Sequence, residues 1–201
     1  SDLDALRYVA SHGDLIEAFG ADPVKGRSHY EQFAAKQGRK IIFQPLIYIA
    51  SHPDLMAAFK LDELQATRHY INYGSKENRS SGNFDPLLYI ASHGDLIAAF
   101  GLNTTEATKN YILYGYSEGR KSGFDALAYI ASYADLMSAF ATDVAAATKH
   151  FIQSGFAEGR QITFDALAYI ASYADLMAAF GTDVVAAAKH YISFGYQEGR
   201  R

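Results

Sequence analysis

Phe124-Asp125-Ala126-Leu127-Ala128-Tyr129-Ile130-Ala131-Ser132 is followed, 40 residues on, by the same nine residues from Phe164 to Ser172. Looser copies open at Leu3, Phe43 and Phe84, so the starts lie 40, 41, 40 and 40 residues apart. Five copies fill the 201-residue chain. The shared pattern reads F-D-x-L-x-Y-I-A-S-(H/Y)-x-D-L-x-x-A-F-x-x-D-x-x-x-A-x-x-H-Y-x-x-x-G-x-x-E-G-R. Repetition at this period marks stacked supersecondary elements. It predicts one helical repeat domain over 1–201, divided at 3–42, 43–83, 84–123, 124–163 and 164–201.

Within a copy the punctuation is helical. Asp85-Pro86 reads as an N-cap followed by proline at the first helical position, where no N–H is needed. Phe84 ahead of it can staple onto Tyr89. This first helix is short, Pro86 to Ala91, because Ser92 looks like a fresh cap. Ser92-His93-Gly94-Asp95 has capping-box spacing, with Asp in place of Glu. Pro53 in the equivalent window of the second copy would cost about 3 kcal/mol inside a continuous helix, which favours a break there. The second helix then runs to Phe100 and stops at Gly101. Asp143 or Asp183 caps a third helix, exemplified by the alanine-rich stretch from Val184 to Phe194. Gly74, Gly115, Gly155 and Gly195 are expected to end it in the left-handed C′ position. Tyr116, Phe156 and Tyr196 would pack back on Tyr111, Phe151 and Tyr191. No window alternates with period 2, so no strand is predicted.

A copy of about 40 residues is too small to hide its own core. Leu127, Tyr129, Ile130, Leu136, Met137, Phe140, Val144, Phe151 and Ile152 recur as a set and exceed what three short helices enclose. Stacking buries them, and the fold class expected is an all-α solenoid of five tandem repeats, each of about three short helices. Gly26, Arg27, Ala34 and Lys36 depart from the pattern in the first copy, as a terminal cap would. Lys60 and Asn78 depart in the second. No polar cap follows Arg201, so the array is expected to continue.

Composition narrows function mainly by exclusion. Eighteen basic and 22 acidic residues give a net charge of −4, which lacks the basic footprint of a nucleic-acid binder. With no Cys, thiolate chemistry, disulfides and cysteine-based zinc sites are out. No apolar run is long enough to span a bilayer, and Ser1-Asp2-Leu3-Asp4 does not open a signal peptide. Motifs for phosphate loops, serine hydrolases and zincins are missing.

The recurrent polar positions are the candidate sites. Asp54, Asp95, Asp135 and Asp175, with Asp14 in the first copy, could form a charge ladder with Arg79, Arg120, Arg160 and Arg200. A structural role is the stronger expectation: helix caps for the aspartates, carboxylate or helix-end partners for the arginines. His12, His52 and His93 form one column, continued by Tyr133 and Tyr173. His29, His69, His150 and His190 form another, interrupted by Asn110. Equivalent side chains on successive helices stand roughly 8–10 Å apart, too far to share one metal. No metal or other cofactor is expected. Tyr8, Tyr48, Tyr89, Tyr129 and Tyr169 read as core. Tyr73, Tyr114 and Phe194 precede the glycine and read as exposed, where they could stack on sugars or anchor a protein.

Tyr129-Ile130-Ala131-Ser132, Asp135-Leu136 and Glu158-Gly159-Arg160, at this period, resemble a helical repeat of bacterial secreted proteins. That repeat often accompanies the calcium-binding nonapeptides of haemolysin-like, type I-secreted proteins. The nonapeptides themselves are absent here, and the first copy departs at Lys36-Gln37-Gly38-Arg39. The resemblance implies an extracellular or cell-surface setting with an export signal outside this chain. Together these readings predict a non-enzymatic interaction or spacer module for a protein or glycan partner, without nucleic-acid binding or membrane insertion. The rival readings are a metal-dependent or hydrolytic enzyme module and a purely structural spacer.

Overall fold

The computed structural model describes Ser1–Arg201 and is all-helical, with no strand. Each repeat holds three short helices. The first holds α1 (Asp2–Ala10), α2 (Gly13–Phe19) and α3 (Pro23–His29). The second holds α4 (Pro45–Ala50), α5 (Pro53–Phe59) and α6 (Glu63–His69). The third holds α7 (Pro86–Ala91), α8 (Gly94–Phe100) and α9 (Thr104–Asn110). The fourth holds α10 (Ala126–Ala131), α11 (Ala134–Phe140) and α12 (Val144–His150). The fifth holds α13 (Ala166–Ala171), α14 (Ala174–Phe180) and α15 (Val184–His190). A π-helical turn continues every third helix, as at Phe151–Gly155 and Tyr191–Gly195.

The repeats gather into two compact units. One comprises residues 1–86 and 104–121, the other residues 87–103 and 122–201. The third repeat is therefore divided, with α8 in one unit and α9 in the other. This division follows from how the repeats stack. In the first unit α1 packs on α6 and α4 on α9; in the second, α10 packs on α15. The first helix of one repeat is thus covered by the third helix of the next, as in a solenoid. The buried cores are correspondingly shared. Ile71 and Ile112 join Leu6, Val9, Tyr48 and Ile49, and Ala188 and Ile192 join Leu127, Tyr129 and Ile130. Val144 is the exception in the expected core set: it is 44% exposed, because it opens α12 on the solvent side.

Helix starts follow local chemistry. Asp125 and Asp165 accept from Ala128 N and Ala168 N at 2.8 and 3.0 Å, and Asp143 and Asp183 from Ala146 N and Ala186 N at 3.0 and 2.9 Å. Pro53 stands first in α5, so the chain does break ahead of it.

The serine does not start the second helix. Ser11, Ser51, Ser132 and Ser172 close the first helix, and His12, His52, Tyr133 and Tyr173 hold the extended cap position without a side-chain bond. The Ser132 hydroxyl instead donates to Ala128 O at 2.7 Å and accepts from Thr163 N and Phe164 N at 2.9 and 3.0 Å. Ser11, Ser51 and Ser92 receive the corresponding N–H pairs of Ile42 and Phe43, Asn83 and Phe84, and Gly123 and Phe124. A residue that looks like a local cap is the clasp holding the next repeat. The clasped phenylalanine then stacks on the aromatic that opens the π turn, with Phe124 and Phe151 centroids 4.5 Å apart.

The helix-ending glycine also sits elsewhere than expected. Gly74, Gly115, Gly155 and Gly195 lie inside the π turn, and positive φ falls instead on Gly119, Gly159 and Gly199 of the E-G-R segment. Gly159 N–H bonds Phe156 O at 3.0 Å and Arg160 N–H bonds Gly155 O at 2.9 Å, the two bonds of a Schellman motif four residues later than predicted.

Candidate functional site

Ending the helix at Gly159 decides where the arginine goes. Arg160 follows directly, and its side chain returns to the first turn of α11. There Nη1 lies 2.9 Å from Asp135 Oδ2, while Nε lies 2.6 Å from Glu158 Oε2. Arg79 pairs with Asp54 and Glu77 at 2.7 and 2.8 Å, and Arg200 with Asp175 and Glu198, both at 2.8 Å. Arg39 grips Asp14 with two bonds, at 2.8 and 2.7 Å. Arg120 pairs with Glu118 at 2.9 Å, and Asp95 holds the second position of α8. The aspartates are not caps but second-position residues, where a negative charge also suits the helix dipole. The Arg39 bonds hold the Asp14 carboxyl below its ordinary range, and Arg200 does the same for Asp175. At Asp54 burial opposes ionisation, yet the Arg79 bonds prevail and the carboxyl is lowered. In the first, second, fourth and fifth repeats the ladder is therefore a set of ion pairs, each made within its repeat.

The two histidine columns have separate roles. Tyr48 and His69 meet through Oη and Nδ1 at 3.0 Å, as do Tyr8 with His29, Tyr129 with His150, and Tyr169 with His190 at 2.9–3.0 Å. Space for the hydroxyl comes from the glycine of the π turn. A Cβ at Gly74, Gly155 or Gly195 would overlap the tyrosine hydroxyl. Burial raises the Tyr48 and Tyr129 phenols to about 12 and lowers the His69 imidazole, so the Tyr48–His69 pair stays neutral near pH 7. These contacts cross-link α4 to α6 and α10 to α12. The other column ties down the segment after E-G-R. His52 Nε2 lies 2.9 Å from Ser80 O, and the Tyr133 hydroxyl donates to Gln161 O at 2.9 Å while accepting from Gln161 N at 2.7 Å. Arg160 lies over the Tyr133 ring, 4.9 Å from its centroid.

No three His, Asp or Glu side chains gather as a metal would need. A groove of the first unit, about 460 Å³, is lined by Arg7, Gln44, Glu63 and threonines without a convergent acid–base pair. The exposed large apolar side chains include recurring aromatics. Tyr73, Tyr114 and Phe194 are 59%, 57% and 58% exposed. Tyr116, Phe156 and Tyr196 are also exposed, and each touches the ring five residues earlier at 6.1–6.2 Å. Sequence reading found both sets but not the Tyr–His pairs. Their signal was a constant 21-residue spacing between Tyr8 and His29, Tyr48 and His69, Tyr129 and His150, and Tyr169 and His190. No protein family, curated protein or solved structure matches the chain. No helix is long and apolar enough to cross a membrane.

Proposed function

We propose that this chain is a non-enzymatic interaction module of a bacterial secreted or cell-surface protein, which offers repeated aromatic positions to a glycan or protein. The observation behind this reading is the recurrence of exposed rings at one repeat position: Tyr73 and Tyr114 in the first unit and Phe194 in the second. The polar side chains that could do chemistry are already spent on one another, in Asp–Arg–Glu and Tyr–His contacts within repeats. A flat exposed ring with a polar rim suits the face of a sugar or the apolar anchor of a partner protein. Several weak contacts of one kind would bind multivalently. The bacterial secreted setting rests on the resemblance of the repeat alone.

The test compares the wild-type chain with Tyr73→Ala/Tyr114→Ala/Phe194→Ala on a glycan array and against candidate surface proteins. The triple variant should melt with the wild type and lose about tenfold or more in affinity. Retention of full affinity would discard the aromatic positions. Failure of every ligand class, with intact folding, would leave the chain a structural spacer.

A further inference from the structure

The two ends of the array are finished differently. At the position where α6, α9, α12 and α15 carry Thr67, Thr108, Thr148 and Ala188, α3 carries Arg27; four residues on, in the π turns that follow, Ile71, Ile112, Ile152 and Ile192 have Glu31 as their counterpart in the first repeat. The threonine, alanine and isoleucine side chains are buried, whereas Arg27 and Glu31 are exposed. These are the positions that meet the preceding repeat, since Ala188 and Ile192 belong to the core of α10. Arg27 lies across to Asp2, with Nη2 2.7 Å from the carboxylate. The first repeat therefore presents a charged face in place of a stacking face.

The last repeat keeps the apolar one. Leu127 and Met137, beneath α15, are 8% and 9% exposed; their equivalents Leu167 and Met177 are 52% and 49% exposed. Ala168 and Ala171 are exposed where Ala128 and Ala131 are buried. The clasp is open as well. The Ser172 hydroxyl donates to Ala168 O at 2.8 Å, with its acceptor side facing a groove of about 360 Å³ lined by Asp165, Ala168, Tyr191 and Arg201. Ser11, Ser51, Ser92 and Ser132 each fill that side with two backbone N–H groups at the junction with the next repeat.

We infer that Leu167, Ala168, Ala171, Met177 and Ser172 form a stacking site for one further repeat of the same kind. Its third helix would bring a small residue followed four positions later by isoleucine, and its opening segment would bring the N–H pair. The argument is continuity with the repeat interface inside both units: the same five positions have this occupant in the fourth repeat. A second copy of the chain is a poor occupant, because its one uncovered third-helix face carries Arg27 and Glu31, whose charges would have to leave water on docking. The inference is independent of the exposed aromatic rings.

The test appends a second copy of residues 162–201 after Arg201. Hydrogen exchange of the α13 amides and peroxide oxidation of Met177 should both slow by roughly tenfold or more. Leu167→Arg should leave the unextended chain folded as before and abolish the protection in the extended one. An extension that leaves α13 and Met177 as reactive as before, folded apart or unfolded, overturns the inference. So does a dimer of the unextended chain that Leu167→Arg dissolves, since the occupant is then a second copy.

Discussion

Ser132 shows how one hydroxyl decides the joint between repeats. Read locally, it caps a helix, and its loss would cost about 1 kcal/mol. In the fold it receives two backbone N–H groups at the junction with the next repeat, at 2.9 and 3.0 Å, so Ser132→Ala strands both donors and should cost about 2 kcal/mol. Ser172→Ala removes only a bond to the preceding turn and should stay within about 0.5 kcal/mol. Equal costs in urea denaturation would return the serine to a purely local role. Backbone strain provides a second residue-scale prediction. Lys60 and Ala141 occupy the turn after the second helix with φ 51° and 48°, where Gly20, Gly101 and Gly181 hold φ 53–57°. A side chain is disfavoured there, so Ala141→Gly should stabilise by about 1 kcal/mol, while Gly101→Ala should destabilise. Protonation supplies a third. Burial holds the His12 and His69 imidazoles below their ordinary value of 6.5, so their neutral forms favour folding. That contribution is complete above pH 6.5 and declines as pH falls below it. Asp14, Asp54 and Asp175 are lowered from 3.8, so a second loss begins only below about pH 4. Melting temperature against pH should show both steps, and His69→Gln should shrink the first.

The element that sequence reading placed least well is the end of the third helix. Val184 to His190 is α-helical as its alanines and the Asp183 cap demand, but the helix then widens into a π turn at Tyr191–Gly195. Gly195 looked like a left-handed terminus because glycine is the common signal for one. Its reason lies 26 residues earlier, in the hydroxyl of Tyr169, and no rule about neighbouring residues reaches that far. The glycine that does turn the chain, Gly199, lies in the E-G-R segment, which reads as the turn into the next copy but not as the helix's left-handed end. By contrast, the first helix was legible residue for residue, since Pro86 and Ser92 bound it from both sides in the sequence. The ion pairs were legible as residue types, not as partners: the 25-residue gap from Asp135 to Arg160 closes only when the Schellman turn points the arginine back. Gly155→Ala tests this account of the element. The added methyl collides with Tyr129 Oη, and the fold should lose about 2 kcal/mol. Tyr129→Phe should recover part of that loss by removing the oxygen, although His150 then loses its partner. The first repeat carries the exchange already: Ala34 stands at the glycine position, and Gly26 replaces the alanine that faces the first helix. A Cβ at Gly26 would press on Ala5 O and Val9, so the small residue has moved to the other side of the helix pair. A Gly155→Ala variant as stable as the wild type would detach the π turn from the tyrosine.

Arg27 and Glu31 put charge where the later repeats carry a small residue and isoleucine on their stacking faces. Mid-array and end positions should differ sharply: Leu127→Ala opens a cavity under α15 and should cost about 3 kcal/mol, while Leu167→Ala, half in solvent already, should cost under about 0.5 kcal/mol. The stronger prediction concerns association. Arg27→Thr with Glu31→Ile gives α3 the Thr and Ile that α6 buries against α1, and removes the ion pair to Asp2. The chain would then carry an apolar third-helix face at one end and an apolar first-helix face, with Leu167 and Met177, at the other. Two complementary and non-identical faces on one molecule make a heterologous contact, which propagates head to tail without closing. Sedimentation of the double variant should therefore show mass rising with concentration through a series of oligomers. Adding Leu167→Arg should return it to the wild-type state, because only the acceptor face is lost. A double variant that sediments as the wild type does would mean that Arg27 and Glu31 are not what keeps this end from stacking.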